Sequence, residues 1–193
     1  FDIPLKHVTG NKYSLELFHG PTLAFKDVGA RFMARLLGYF NRIDNQKGDM
    51  VNVLVATSGD TGSAVANGFL GVPGVRVFVL YPQGKVSRIQ EAQFTTLGQN
   101  ITAIEVDGTF DDCQALVKSA FMDEELNEHM KLTSANSINV ARFLPQMFYY
   151  FYGYAQLAKR GQDLSNIVVS VPSGNFGNIT AALIGKRMGL PIK

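Results

Sequence analysis

Four short runs of apolar residues punctuate the chain: MVNVLVA (50–56), VRVFVLY (75–81), ITAIEV (101–106) and NIVVSV (166–171). Each is six or seven residues long, rich in valine and isoleucine, and apolar on both faces, which is the pattern of a strand covered by helices on either side of a parallel sheet. Between and around them, apolar residues recur at helical spacing and predict helices over 26–40, 63–70, 86–97, 111–121, 139–159 and 178–188. Strand and helix alternate, so the chain reads as α/β with largely parallel, twisted sheets.

Two polar stretches, NRIDNQKGD (41–49) and MDEELNEH (122–129), interrupt this pattern. The block between them is expected to form a smaller, mobile α/β domain over 46–135. Residues 1–45 and 136–193 would then belong together as parts of a larger domain. The start at Phe1 and the ending MGLPIK suggest a fragment of a longer polypeptide, with the larger domain incomplete.

Composition narrows the functional classes. With 46% hydrophobic and 18% charged residues, the 193-residue chain can bury a core. Its net charge of +2 is spread without a basic run, which points to a small-molecule substrate rather than nucleic acid or an anionic membrane. No apolar stretch has the length of a membrane span, and the start FDIPLKHVTG lacks the layout of a signal peptide. A single cysteine, Cys113, allows no internal disulfide and favours a reducing, cytoplasmic home. His7, His19 and His129 lack metal-ligand spacing, so no metal is expected. The aromatic stretch FLPQMFYYFYGYAQLA (143–158) reads as the packing face of a long helix rather than a stacking platform for bases.

Two segments share one layout, an apolar strand followed by a Gly/Ser/Thr/Asn loop and a helix of small residues: VNVLVA-TSGDTG-SAVANGF and IVVSVP-SGNFGN-ITAALIGKRMG. Glycine lets the main chain approach an anion, and the helix that follows offers unpaired N–H groups at its positive end. Each loop is a candidate anion cradle, the alternative being an ordinary strand-to-helix turn. Neither contains GxGxxG, nor GxxxxGK followed by Ser or Thr, so a nucleotide is not the favoured anion.

The stretch LFHGPTLAFKD (17–27) adds an amine. HGPT reads as a turn held by Pro21, which places Lys26 near the first turn of the following helix, beside Leu23, Ala24 and Phe25. A helix start and apolar surroundings both disfavour a charged amine. A partly neutral lysine can attack an aldehyde and form a Schiff base, as enzymes do in holding pyridoxal phosphate. The alternative is a plain surface lysine.

Four motifs in order, HGPTLAFKD, ATSGDTGSA, SANSIN with RFLPQ, and VPSGNFGN, resemble those of the threonine synthases, within the fold-type II pyridoxal phosphate enzymes. The resemblance runs from Leu17 to Pro191 and implies a tryptophan synthase β-like fold with two α/β domains. It implies that Lys26, preceded by Phe25, carries the cofactor pyridoxal 5'-phosphate, and that Gly174, Asn175, Phe176, Gly177 and Asn178 hold the cofactor phosphate. Thr57, Ser58, Gly59, Asp60 and Thr61 would take the substrate carboxylate. An acid there is unfavourable unless it faces a cation or donor, which leaves the role of Asp60 open. Ser134, Asn136, Ser137, Asn139 and Arg142 would supply the grip on the substrate phosphate, with helix capping as the other use of the serines and asparagines.

The implied reaction is that of a carbon–oxygen lyase acting on a phosphate, converting O-phospho-L-homoserine and water into L-threonine and phosphate, with Lys26 moving protons. Closure of the smaller domain would shield the site. A dehydratase or cysteine-synthase-like enzyme of the same fold is the first alternative, opposed by SGDTG and by SANSIN with Arg142. The second is a non-catalytic binding module, opposed by the intact lysine and phosphate loop, or a fragment inactive without the missing half, which would supply the contact to the cofactor's ring nitrogen.

Overall fold

The computed structural model describes residues 2–44, 49–136 and 139–193. It opens with an antiparallel hairpin, β1 (Leu5–Thr9) and β2 (Lys12–Leu15), followed by helix α1 (Asp27–Asp44). Next come β3 (Val51–Ala56), α2 (Asp60–Phe69), β4 (Val75–Pro82), α3 (Arg88–Thr95), β5 (Ile101–Val106), α4 (Phe110–Met122), α5 (Glu124–His129) and β6 (Lys131–Ser134). These four strands form one parallel sheet in the order β5-β4-β3-β6. The chain continues through α6 (Val140–Phe143), a 3-10 turn (Leu144–Gln146), α7 (Met147–Lys159) and α8 (Gly177–Arg187).

The period of two in the strands sorts the core into two layers. Val53, Val55, Val75, Val77 and Val79 pack with Ala64, Val65 and Phe69 of α2, Phe94 of α3, and Ala30, Met33 and Ala34 of α1. The alternate positions Leu54, Ala56, Phe78 and Leu80 face Cys113 and Val117 of α4. Capping fixes where several helices begin. Ser87 accepts from the Gln90 N–H ahead of α3, and Thr109 forms a reciprocal box with Asp112 ahead of α4. A separate cluster joins Tyr149 and Tyr150 of α7 to Ala181 and Ala182 of α8, with Leu190, Ile192, Phe25 and Val28. Because α1 begins in this cluster and continues into the sheet core, it couples the two packing units.

Two expectations need correction. The run 166–171 forms no strand; a single parallel bridge joins Ile167 to Ile192. Val168 is 72% exposed, since no strand lies beside this segment among the described residues to complete a ladder. The helix expected over 139–159 is broken at Leu144–Gln146, where Pro145 has no N–H to give the helical ladder. The hairpin, α5 and β6 were not expected at all. No helix among the described residues is long and apolar enough to cross a membrane.

Candidate active site

Lys26 sits immediately before α1, where its carbonyl accepts the N–H of Ala30 at 3.0 Å. The turn leading to it is tightly held. Asp27 accepts from both the N–H and the hydroxyl of Thr22, and Gly20 is required because a Cβ there would lie 2.3 Å from an Asp27 carboxylate oxygen. The Tyr149 hydroxyl donates to the Phe25 carbonyl from α7. Burial and the nearby Asp27 charge push the proton affinity of Tyr149 well up, so it remains a donor. Lys26 is thereby buried, at 7% exposure, with its Nζ 5.0 Å from the centre of the Phe25 ring.

The amine does not stand alone. Its Nζ lies 2.5 Å from Oδ2 of Asp60, the first residue of α2, so the ammonium is paired across 34 positions of sequence. The expectation of an apolar, charge-disfavouring niche thus described only half of the surroundings.

TSGDTG forms the turn from β3 into α2. The buried Thr57 hydroxyl accepts the N–H groups of Gly59 and Gly62 at 3.0 and 2.8 Å, so it shapes the loop from within. Gly59 has φ +148 and would carry a Cβ 2.3 Å from the Gln90 side chain, so this corner admits only glycine. Ser58 is exposed, whereas Asp60 and Thr61 are half-buried at the helix start. Their N–H groups belong to the first turn, which has no intrahelical acceptor.

The SANSIN stretch is largely a brace. Asn136 accepts from the Ala56 N–H at 3.1 Å and donates to the Ala56 carbonyl at 2.8 Å, tying it to the end of β3. The Ser134 hydroxyl accepts from the Asn136 N–H, and Asn139 caps α6 by accepting from Ala141 while donating to the Ser134 carbonyl. Ser137 lies outside the described residues. Arg142 differs from all of these. It is 2% exposed, and its Nε and Nη1 have no hydrogen-bond partner among the described residues. Burial lowers its pKa to about 10, against the opposing attraction of Asp60. A buried guanidinium with unused donors has the chemistry to receive an anion.

SGNFGN leads into α8 with no side chain capping the helix. Gly174 has open space where a Cβ would stand, and Gly174, Asn175 and Phe176 are exposed. The side chain of Asn178 is instead buried, accepting the Tyr150 hydroxyl at 2.5 Å. Burial raises the pKa of Tyr150 to about 12. Adjacent tyrosines on α7 therefore tie the lysine turn and the α8 loop to one scaffold. That role was missed because the aromatic stretch was read as packing alone; two neighbouring hydroxyls in an otherwise apolar run were the available signal.

Comparison with known proteins accords with this arrangement. The threonine synthase of Haemophilus influenzae is 56% identical over the whole of this chain. A crystal structure of threonine synthase from Escherichia coli superposes on all of it with a TM-score of 0.87 at 53% identity. The structure of threonine synthase from Brucella melitensis with bound pyridoxal phosphate covers 98% with a TM-score of 0.84 at 44% identity. The chain spans 44% of the length of the first two and 40% of the third. The fold expected from the four motifs, a fold-type II α/β enzyme present here in part, is borne out. The model of the pyridoxal-phosphate dependent enzyme family matches residues 12–192, nearly the full length, and the chain belongs to that family.

Proposed function

We propose that this chain is part of a threonine synthase, acting on O-phospho-L-homoserine and water to give L-threonine and phosphate with pyridoxal 5'-phosphate as cofactor. The observation that carries this reading is Arg142, a buried guanidinium with two nitrogens unpartnered among the described residues, within electrostatic reach of the Asp60 carboxylate that pairs Lys26. An anion receptor close to a buried amine suits an amino-acid substrate that bears a phosphate.

The residues present fit the cofactor. Lys26 offers the one buried amine named by these motifs, and the exposed residues Gly174, Asn175 and Phe176, with half-buried Gly177, lead into an uncapped helix start for a phosphate. When bound, the cofactor supplies an electron sink for charge developing on the substrate carbons. Lys26 would hold it through its carbonyl and, once free, carry protons at the substrate α- and β-carbons. Phe25 would pack beside it. Arg142, helped by Ser134, Asn136, Ser137 and Asn139, would receive the substrate phosphate. Thr57, Ser58, Gly59, Asp60 and Thr61 would shape the carboxylate end. Residues 46–135 would act as the smaller, mobile unit, and the enzyme would work in the cytoplasm.

Titration of the full-length protein with pyridoxal phosphate, followed by visible absorbance, tests the assignment. A new band is expected in the wild type and absent in Lys26→Ala. Identical spectra would remove Lys26 from this role.

A further inference from the structure

We propose that Asp60 is a positioning residue for Lys26: its carboxylate pairs with the free amine and holds it directed at the TSGDTG loop, withheld from electrophiles until the pair is broken. The proposal rests on the reading of Lys26 as the cofactor-binding amine.

The geometry leaves few other partners. Lys26 has a side chain 8% exposed, yet its Nζ is 2.5 Å from Asp60 Oδ2. Asp27, the neighbouring acid on α1, has one carboxylate oxygen engaged by the Thr22 N–H and the other by its hydroxyl. Arg142, from α6, carries charge of the same sign as Lys26 and is drawn to Asp60 in its turn. Tyr149, from α7, is a protonated donor committed to the Phe25 carbonyl. The Phe25 ring adds a weak cation–π attraction at 5.0 Å. Asp60 is thus the carboxylate positioned to neutralise the amine.

This answers the puzzle of an acid in a loop expected to meet a substrate carboxylate. While Lys26 is free, Asp60 is neutralised by it.

The test is acylation of Lys26 by acetic anhydride in the full-length protein without added cofactor, from about pH 6 to about pH 10. Peptide mass spectrometry reads the yield against exposed Lys118. Releasing the amine from this ion pair is expected to raise Lys26 labelling at neutral pH about tenfold in Asp60→Asn. Asp60→Glu should restore a profile close to the wild type, which a merely structural role would not predict. Asp60→Ser is a second neutral variant should Asp60→Asn fail to fold. A neutral-variant profile that superimposes on the wild type, or Asp60→Glu behaving as Asp60→Asn does, overturns the proposal. The measurement needs neither cofactor nor O-phosphohomoserine, so absent turnover leaves it intact. Unshifted labelling with normal turnover removes only the role of Asp60.

Discussion

The side-chain amide of Asn136 satisfies both main-chain groups of Ala56, taking its N–H and giving a proton to its carbonyl. Ala56 is the last, fully buried residue of β3, at the point where the ladder to β6 has ended. Asn136 therefore continues the sheet by one rung with a side chain. Replacement by Ala would leave two buried main-chain groups unpaired and should lower stability by about 2–3 kcal/mol in urea unfolding. Asn136→Asp should not rescue it, because its carboxylate would face the Ala56 carbonyl.

Arg142 is expected to trade stability for binding. Arg142→Met removes a buried charge with unused donors and should raise the melting temperature of the ligand-free protein. In turnover of O-phosphohomoserine it should raise KM roughly ten- to hundredfold with a smaller effect on kcat. An unchanged KM would take Arg142 out of the substrate site.

Gly29 sets the spacing between α1 and α6. A Cβ at this position would lie 2.3 Å from the Arg142 carbonyl oxygen, a contact with main chain that no rotamer change can relieve. Gly29→Ala should therefore destabilise the protein by about 1–3 kcal/mol and displace Arg142. Thermal melts with and without inorganic phosphate would show both effects, as a lower melting temperature and a smaller stabilisation by the anion.

Alkaline pH should weaken the tyrosine scaffold. The pKa of Tyr150 is raised from about 10 in an unfolded chain to about 12 here, and that of Tyr149 is raised as well. The folded state then keeps protons that the unfolded state releases, so their contribution is whole below about pH 10 and is lost as pH rises through about 12. Tyr150→Phe should be less stable near neutrality, having lost its bond to Asn178, yet show a shallower decline above about pH 10. Unfolding midpoints across this range give the comparison.

What could be read from the sequence had local causes. Valine alternation gives β3 and β4 without further information, and the turn before Lys26 follows from Gly20 and Pro21. The Asp60 partner, the tyrosine bonds and the Asn136 brace all join residues far apart in the chain, and no periodicity encodes them. The valines at 166–171 mislead for the converse reason. They carry strand propensity, but a strand exists only with a neighbour, and here Ile192 alone provides one.

The bond from Tyr149 to Phe25 also bears on the order of assembly. It spans 124 residues, whereas β3, β4 and β5 follow one another in sequence and pair with their nearest predecessors. Loop closure favours the short spans, so the sheet should form before the turn carrying Lys26 is pinned. In refolding, recovery of far-ultraviolet ellipticity would then precede protection of Lys26 from acylation. The reactive amine would be among the last features of the native state to appear.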